Sequence, residues 1–326
     1  MGTAEFAVPP LEGIAASRHD VATVVTQPDR PGGRGQRLRP SPVGKAASLL
    51  GFGVAQPDSL NAAPFRQLIE DQKPDIVAVV AYAKRIPAWL IAWPPHGVVN
   101  LHGSLLPKYR GAAPVNWAIA RGESRTGVCT MQIDEGLDTG PVYACRETDI
   151  GAGETAPDLL GRLARMGAEL LLETLASIES GEARPHPQSD RGASLAPRLT
   201  REDGYIGWEE PALEIHNRIR AFLPWPAVVV AFRGQTCRLL ESRVGDIAGD
   251  GPQQGTLPGM LPGMVTVKGG RLAVRCGDGR LLEILKVQPE NRRPLSAREF
   301  VNGFRPKTGD RFASLLRRAG GAEQGA

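Results

Sequence analysis

Asn100 and His102 stand two residues apart at the end of an apolar run, Val98-Val99-Asn100-Leu101-His102, which stops at Gly103. The run reads as a short buried strand, and side chains two apart on a strand share a face. Both therefore project from the strand's carboxyl end, where open α/β sheets hold ligands. An asparagine amide can donate to an oxygen that gains negative charge. A histidine titrates near neutrality and can take or give a proton. Downstream, Asp134-Glu135-Gly136-Leu137-Asp138-Thr139-Gly140 carries carboxylates on a glycine-punctuated loop, one of which could orient and charge-stabilise an imidazole. Together these types suit transfer of an acyl-like carbon to a nucleophile. Taken singly, His102 reads as a structural histidine, and Asn100 and Asp138 read as turn residues. The combination at a strand tip is what points to chemistry, with Asp134 and Asp138 as competing carboxylates.

The elements that must carry this tip alternate along the first half of the chain. Spacing predicts helices over 4–17, 43–50, 62–71 and 112–121, and strands over 21–26, 75–81, 128–133 and 141–148. A long amphipathic helix follows over 154–180, with leucines at 159, 160, 163, 170, 171 and 175 recurring at helical spacing. This alternation predicts a Rossmann-like, doubly wound, mainly parallel sheet over 1–183. No Gly-x-Gly-x-x-Gly or phosphate loop follows any strand, and Gly51-Phe52-Gly53 lacks a third glycine, so no dinucleotide is expected. Residues 184–205 are polar and without periodicity, and read as a linker. Residues 206–326 read as a second domain: a helix over 211–221, then short strands near 227–233, 236–243, 263–268, 272–276 and 280–288 that suit a small β-barrel.

At 326 residues the chain suits two domains, and 41% hydrophobic residues suit a packed core. No run of eighteen apolar residues and no charged-then-apolar leader occur, so a cytoplasmic protein without a membrane partner is expected. Cys129, Cys145, Cys237 and Cys276 lie far apart, which argues against a zinc site or a disulfide framework and for buried thiols. A formal net charge of +4 permits a polyanionic partner without demanding one. Arg30, Arg34, Arg37 and Arg39 sit on a glycine-rich loop that reads either as a solvated loop or as a phosphate contact. Arg292, Arg293, Arg298, Arg305, Lys307 and Arg311 make the C-terminal side basic. Leu257-Pro258-Gly259-Met260 repeats as Leu261-Pro262-Gly263-Met264, read as a loop-lengthening duplication.

Asn100-Leu101-His102-Gly103-Ser104-Leu105-Leu106-Pro107, followed by Tyr109-Arg110-Gly111-Ala112-Ala113-Pro114, resembles the signature of the 10-formyltetrahydrofolate-dependent formyltransferases. Thr26-Gln27-Pro28-Asp29-Arg30-Pro31 with Gly33-Arg34-Gly35, Gly136-Leu137-Asp138-Thr139-Gly140, and Arg220-Ala221-Phe222 with Pro224-Trp225-Pro226 are similar to the branch acting on methionyl-tRNA. The similarity runs from residue 2 to about residue 313.

The resemblance implies an enzyme that passes a formyl group from 10-formyltetrahydrofolate, a cosubstrate, to the α-amine of initiator methionyl-tRNA. It implies catalytic roles for Asn100, His102 and Asp138, the last favoured over Asp134 because the motif matches it. Ser104, Leu105, Leu106 and Pro107 become the folate-contacting loop, and Arg30, Arg34 and Arg37 the tRNA contacts. No metal is needed, the second domain becomes an OB-like, tRNA-binding barrel, and a monomer is expected. Members of the family begin with a short apolar strand just before the Gly2-Thr3 turn, whereas this chain begins Met1-Gly2. The sheet is therefore expected without its first strand, and the recorded start downstream of the true one. Tyr82-Ala83 stands where the family has Tyr-Gly, a problem if that position needs positive φ. Rival readings are a formyltransferase for a sugar nucleotide or small amine, and a non-catalytic RNA-binding protein on an enzyme scaffold.

Overall fold

The computed structural model describes residues 1–32, 37–245 and 261–315. They form two compact units, one of 1–115, 125–150 and 158–198, the other of 116–124, 151–157 and the residues from 199 onward.

In the first unit, Val77–Val80, Val98–His102, Arg125–Gln132 and Val142–Asp149 form a sheet in that order. The first pair is parallel, with Val79 beside Asn100, and the two outer pairs are antiparallel. Parallel strands Val24–Val25 and Val54–Ala55 pair with each other. Met1 and Gly2 lie between this pair and the sheet: Gly2 N donates to Val25 O, and Val80 N donates to Met1 O. The Met1 amine donates to Ala78 O at 2.6 Å, and burial pushes its pKa down from 8.0 to about 5. The sheet is thus parallel up to the Val98–His102 strand and antiparallel beyond it.

Val98, Val99 and Leu101 are buried, as a strand covered on both faces requires. Helix Ala156–Glu179 runs past this strand, and a Cβ on Gly167 would sit 2.7 Å from Leu101 Cδ2. The helix approaches that closely because residue 167 has no side chain. Thr174 and Thr130 share a buried 2.7 Å hydrogen bond between the helix and the Arg125–Gln132 strand.

Two expectations change here. Cys129 and Cys145 are not separate thiols: they stand opposite each other on paired strands and form a disulfide. A separation of 16 residues hid the pairing, because the hairpin between them folds the two positions together. Cys237 and Cys276 are free and buried, with burial pushing their thiols up to about 11 and about 12. The second change concerns the expected linker, 184–205. Its first part joins the first unit: His186 pairs with Val142, and Leu195–Ala196 pairs in parallel with Arg110–Gly111.

The second unit holds helix Ala212–Ala221 and an antiparallel sheet. Its order is Val265–Lys268, Arg271–Arg275, Leu281–Pro289, Gln235–Val244, Val228–Phe232, Phe312–Ser314. A Met264–Arg311 bridge links the two ends of this sheet, so it curls into a barrel over Trp208, Phe232, Leu239, Ile284, Phe300 and Phe312. Helix Ala297–Phe304, not anticipated, starts with a capping box between Ser296 and Glu299. The first copy of the repeated tetrapeptide, 257–260, lies outside the described residues. Among the described residues no helix is long and apolar enough to cross a membrane.

Candidate active site

His102 ends its strand, is 5% exposed, and has a partner at each ring nitrogen. Nε2 lies 2.9 Å from the Tyr109 carbonyl oxygen, and Nδ1 lies 3.6 Å from Asp138 Oδ2. A carbonyl only accepts, so the proton of the neutral ring belongs on Nε2 and the lone pair on Nδ1. Asp138 is itself held, because Gly111 N donates to its Oδ2 at 2.8 Å. It sits at φ 53, in the left-handed region that aspartate tolerates better than most residues.

The rival carboxylate is otherwise engaged. Asp134 Oδ1 accepts from Gly136 N at 3.0 Å and from Thr139 Oγ1 at 2.9 Å, closing its own loop. Asn100 is half-buried. Its side-chain amide makes no hydrogen bond among the described residues, leaving two N–H donors for a ligand. The strand therefore brings Asn100 and His102 to one face, and the 134–140 loop adds Asp138.

Ser104 is fully buried and its hydroxyl donates to Lys108 O at 2.6 Å, so its side chain shapes the loop. Leu105, Leu106 and Pro107 are half-buried along the same turn. At the neighbouring strand tip Ala83 takes φ 60, the conformation that favours glycine. Gln27 Nε2 donates to Tyr82 O at 2.7 Å and its Oε1 accepts from Arg30 Nη2 at 2.6 Å, which ties the basic loop to this tip. Within that loop Arg30–Gly32 and Arg37–Arg39 pair as antiparallel strands, with Arg30 opposite Arg39. Arg34 lies outside the described residues, and of Arg37 only the backbone pairing with Gly32 is described. In the second unit Arg293 pairs with Glu299, Arg311 donates to Pro262 O, and Arg292 lies over the Phe304 ring. Those arginines are partly spent within the barrel.

Sequence reasoning missed the residues that hold the site. Arg110, 8% exposed, donates from Nε and Nη2 to Gln188 Oε1 at 3.1 and 3.0 Å. Gln188 Nε2 donates to the carbonyls of Asp138 and Gly140, both at 2.8 Å. Ser194 Oγ accepts from Tyr109 N at 3.0 Å, and Ser194 O accepts from Arg110 N at 2.8 Å. Arg110 lay within a recognised motif, but Gln188 and Ser194 lie in an aperiodic stretch that carries no signal. Among the described residues no group of three or more His, Cys, Asp or Glu could hold a metal ion.

Comparison with known proteins fits this geometry. The formyl transferase model matches residues 1–175, and the model of the formyl transferase C-terminal domain matches residues 198–305. The methionyl-tRNA formyltransferase of Koribacter versatilis is 45% identical over 316 residues, 96% of this chain and 97% of that relative. The chain belongs to this family. The methionyl-tRNA formyltransferase of Solibacter usitatus is also 45% identical, over 94% of each chain. Among solved structures, a formyltransferase from Helicobacter canadensis, in complex with folinic acid and dTDP-3-aminofucose, shares the fold at TM-score 0.63. It is 19% identical and covers 88% of this chain and 97% of its own. A sugar 3N-formyl transferase in the presence of dTDP and 5-N-formyl-THF gives TM-score 0.64 at 18% identity, over 90% and 97% of the two chains.

Proposed function

We propose that this formyltransferase moves the formyl group of 10-formyltetrahydrofolate to the α-amine of initiator methionyl-tRNA, yielding N-formylmethionyl-tRNA for translation initiation. The observation that carries the reading is the strand tip: a free Asn100 amide beside a histidine whose Nε2 is occupied and whose Nδ1 faces Asp138. The near full-length relatives at 45% identity support the choice of acceptor. The motif from Asn100 to Pro107 supports the donor.

The amine nitrogen attacks the formyl carbon, and the carbonyl electron pair moves onto oxygen. Asn100 donates to that oxygen, a role worth on the order of 3 kcal/mol. The amine's proton passes to His102 Nδ1, and Asp138 meets the imidazolium charge that forms. Collapse of the intermediate breaks the bond from carbon to folate N10, and His102 returns the proton to that nitrogen. Such proton transfer is worth about 10²–10⁴-fold. The turn from Ser104 to Pro107 offers backbone groups to folate, and Arg30, Arg34 and Arg37 contact the acceptor arm.

The test is formylation of methionyl-tRNA by purified protein with 10-formyltetrahydrofolate, beside Asn100→Ala and His102→Ala. Each substitution is expected to lower kcat by about 10²-fold or more while tRNA binding persists. Folded, tRNA-binding wild-type protein that makes no product would sink the reading.

A further inference from the structure

We propose that Gln188 is a positioning residue for the His102–Asp138 pair; this rests on the function proposed above. Two separate loops supply the groups that flank the imidazole. The Tyr109 carbonyl belongs to the turn after the catalytic strand, and Asp138 belongs to the loop after the Arg125–Gln132 strand. Neither loop is part of regular structure at those residues beyond the short Arg110–Gly111 pairing. Gln188 spans them. Its Nε2 donates to Asp138 O and Gly140 O, both at 2.8 Å, which holds the backbone that carries the carboxylate. Its Oε1 accepts two hydrogen bonds from Arg110, the residue whose own N–H is anchored by Ser194 and whose neighbour provides the Tyr109 carbonyl.

Arg110 is buried and Gln188 beside it is half-buried. The remaining Arg110 partner, Asp190 at 3.3 Å, has a side chain 95% exposed and contributes no comparable constraint. The amide of Gln188 thus fixes how far apart the two imidazole partners stand, and a carboxylate cannot replace it. A Glu there still accepts from Arg110 but has no N–H for the two carbonyls.

The experiment compares wild type, Gln188→Ala, Gln188→Glu and Asp190→Ala in methionyl-tRNA formylation, melting temperature and ¹⁵N NMR of the His102 ring. Both Gln188 variants are expected to lose about 10–100-fold in kcat, with KM for either substrate within about twofold. Gln188→Glu is expected to stay folded at a lowered melting temperature, since two hydrogen bonds are lost, and to shift the His102 ring signals. Asp190→Ala is expected to match wild type throughout. A folded Gln188→Glu with wild-type kcat overturns the proposal, as does failure of both variants to fold, which would make Gln188 a residue of the fold alone. Should wild type lack formylation activity, the proposed function fails separately and the NMR arm decides. Unchanged His102 signals in folded Gln188→Glu overturn the positioning role, and shifted signals uphold it.

Discussion

The strand Val98–His102 and the strap 186–196 both build the site, and they do it by different physics. The strand is held by ladders on both sides and by burial of Val98, Val99 and Leu101, so its side chains point where period-two geometry sends them. The strap has almost no apolar burial apart from Ala196, and is held by hydrogen bonds to two loops. One region places Asn100 and His102, proposed above as reacting groups, and the other ties together the two loops that flank His102. The difference teaches that a His–Asp pair can sit half on a rigid element and half on a polar brace. The two halves should also fail differently.

The strand side fails through the sheet. In a chain that begins at Met1, the amine lies buried on Ala78 O, and its folded pKa of about 5 is below the ordinary 8.0. Between those values the unfolded chain binds a proton that the folded chain refuses, so stability falls as pH drops from 8 toward 5 and levels off below 5. The full swing is up to about 4 kcal/mol. Urea midpoints at pH 5 and 8 measure it, and adding a few residues before Met1, which converts the amine to a peptide N–H, should flatten the slope. A midpoint independent of pH in the chain beginning at Met1 refutes the burial of the amine.

The strap side fails through one glycine. Gly111 has φ 127, and a Cβ there would sit 2.5 Å from Ala196 O, against the strap's own backbone. Gly111→Ala is expected to cost about 2–3 kcal/mol and to pull the Gly111 N–H off Asp138. Activity should fall further than stability predicts, and kcat measured well below the melting temperature separates the two. By contrast Gly167→Ala on the long helix presses on Leu101 rather than on a loop. Overpacking of about 1–3 kcal/mol is offset by about 1 kcal/mol of helix propensity, leaving a net loss of about 1 kcal/mol. Calorimetry should show that loss with kcat nearly unchanged if the strand tip is as rigid as its ladder implies.

The same division explains what was legible in the sequence. The strand tip, the long helix and five barrel strands followed from periodicity, because each is defined by neighbours within a few residues. The shared face of Asn100 and His102 is readable for that reason, and the motif points to Asp138, the carboxylate that lies 3.6 Å from His102. The strap reads as linker because its order comes from contacts 48 to 85 residues away, such as Gln188 to Gly140 and Ser194 to Tyr109. No local pattern encodes those. The Cys129–Cys145 bond was hidden likewise, since only strand register brings the two together. Helix Ala297–Phe304 could have been found: Ser296 with Glu299 is a capping-box spacing ahead of Phe300.

The finest probe of the brace is Ser194→Ala. Ser194 Oγ accepts from Tyr109 N, while the backbone pairing of Leu195–Ala196 with Arg110–Gly111 does not involve its side chain. Removing the hydroxyl withdraws one acceptor from a residue that is 4% exposed, a cost of about 1 kcal/mol by denaturation. The Tyr109 peptide then gains freedom on its N–H side, yet its carbonyl keeps His102 Nε2, and Gln188 still spans both loops. A kcat loss of a few fold is therefore expected, well short of that for Gln188→Glu. If Ser194→Ala instead loses as much as the Gln188 variants, the spacing of the pair is set by the strap's backbone as a whole, and the amide of Gln188 holds no special place in it.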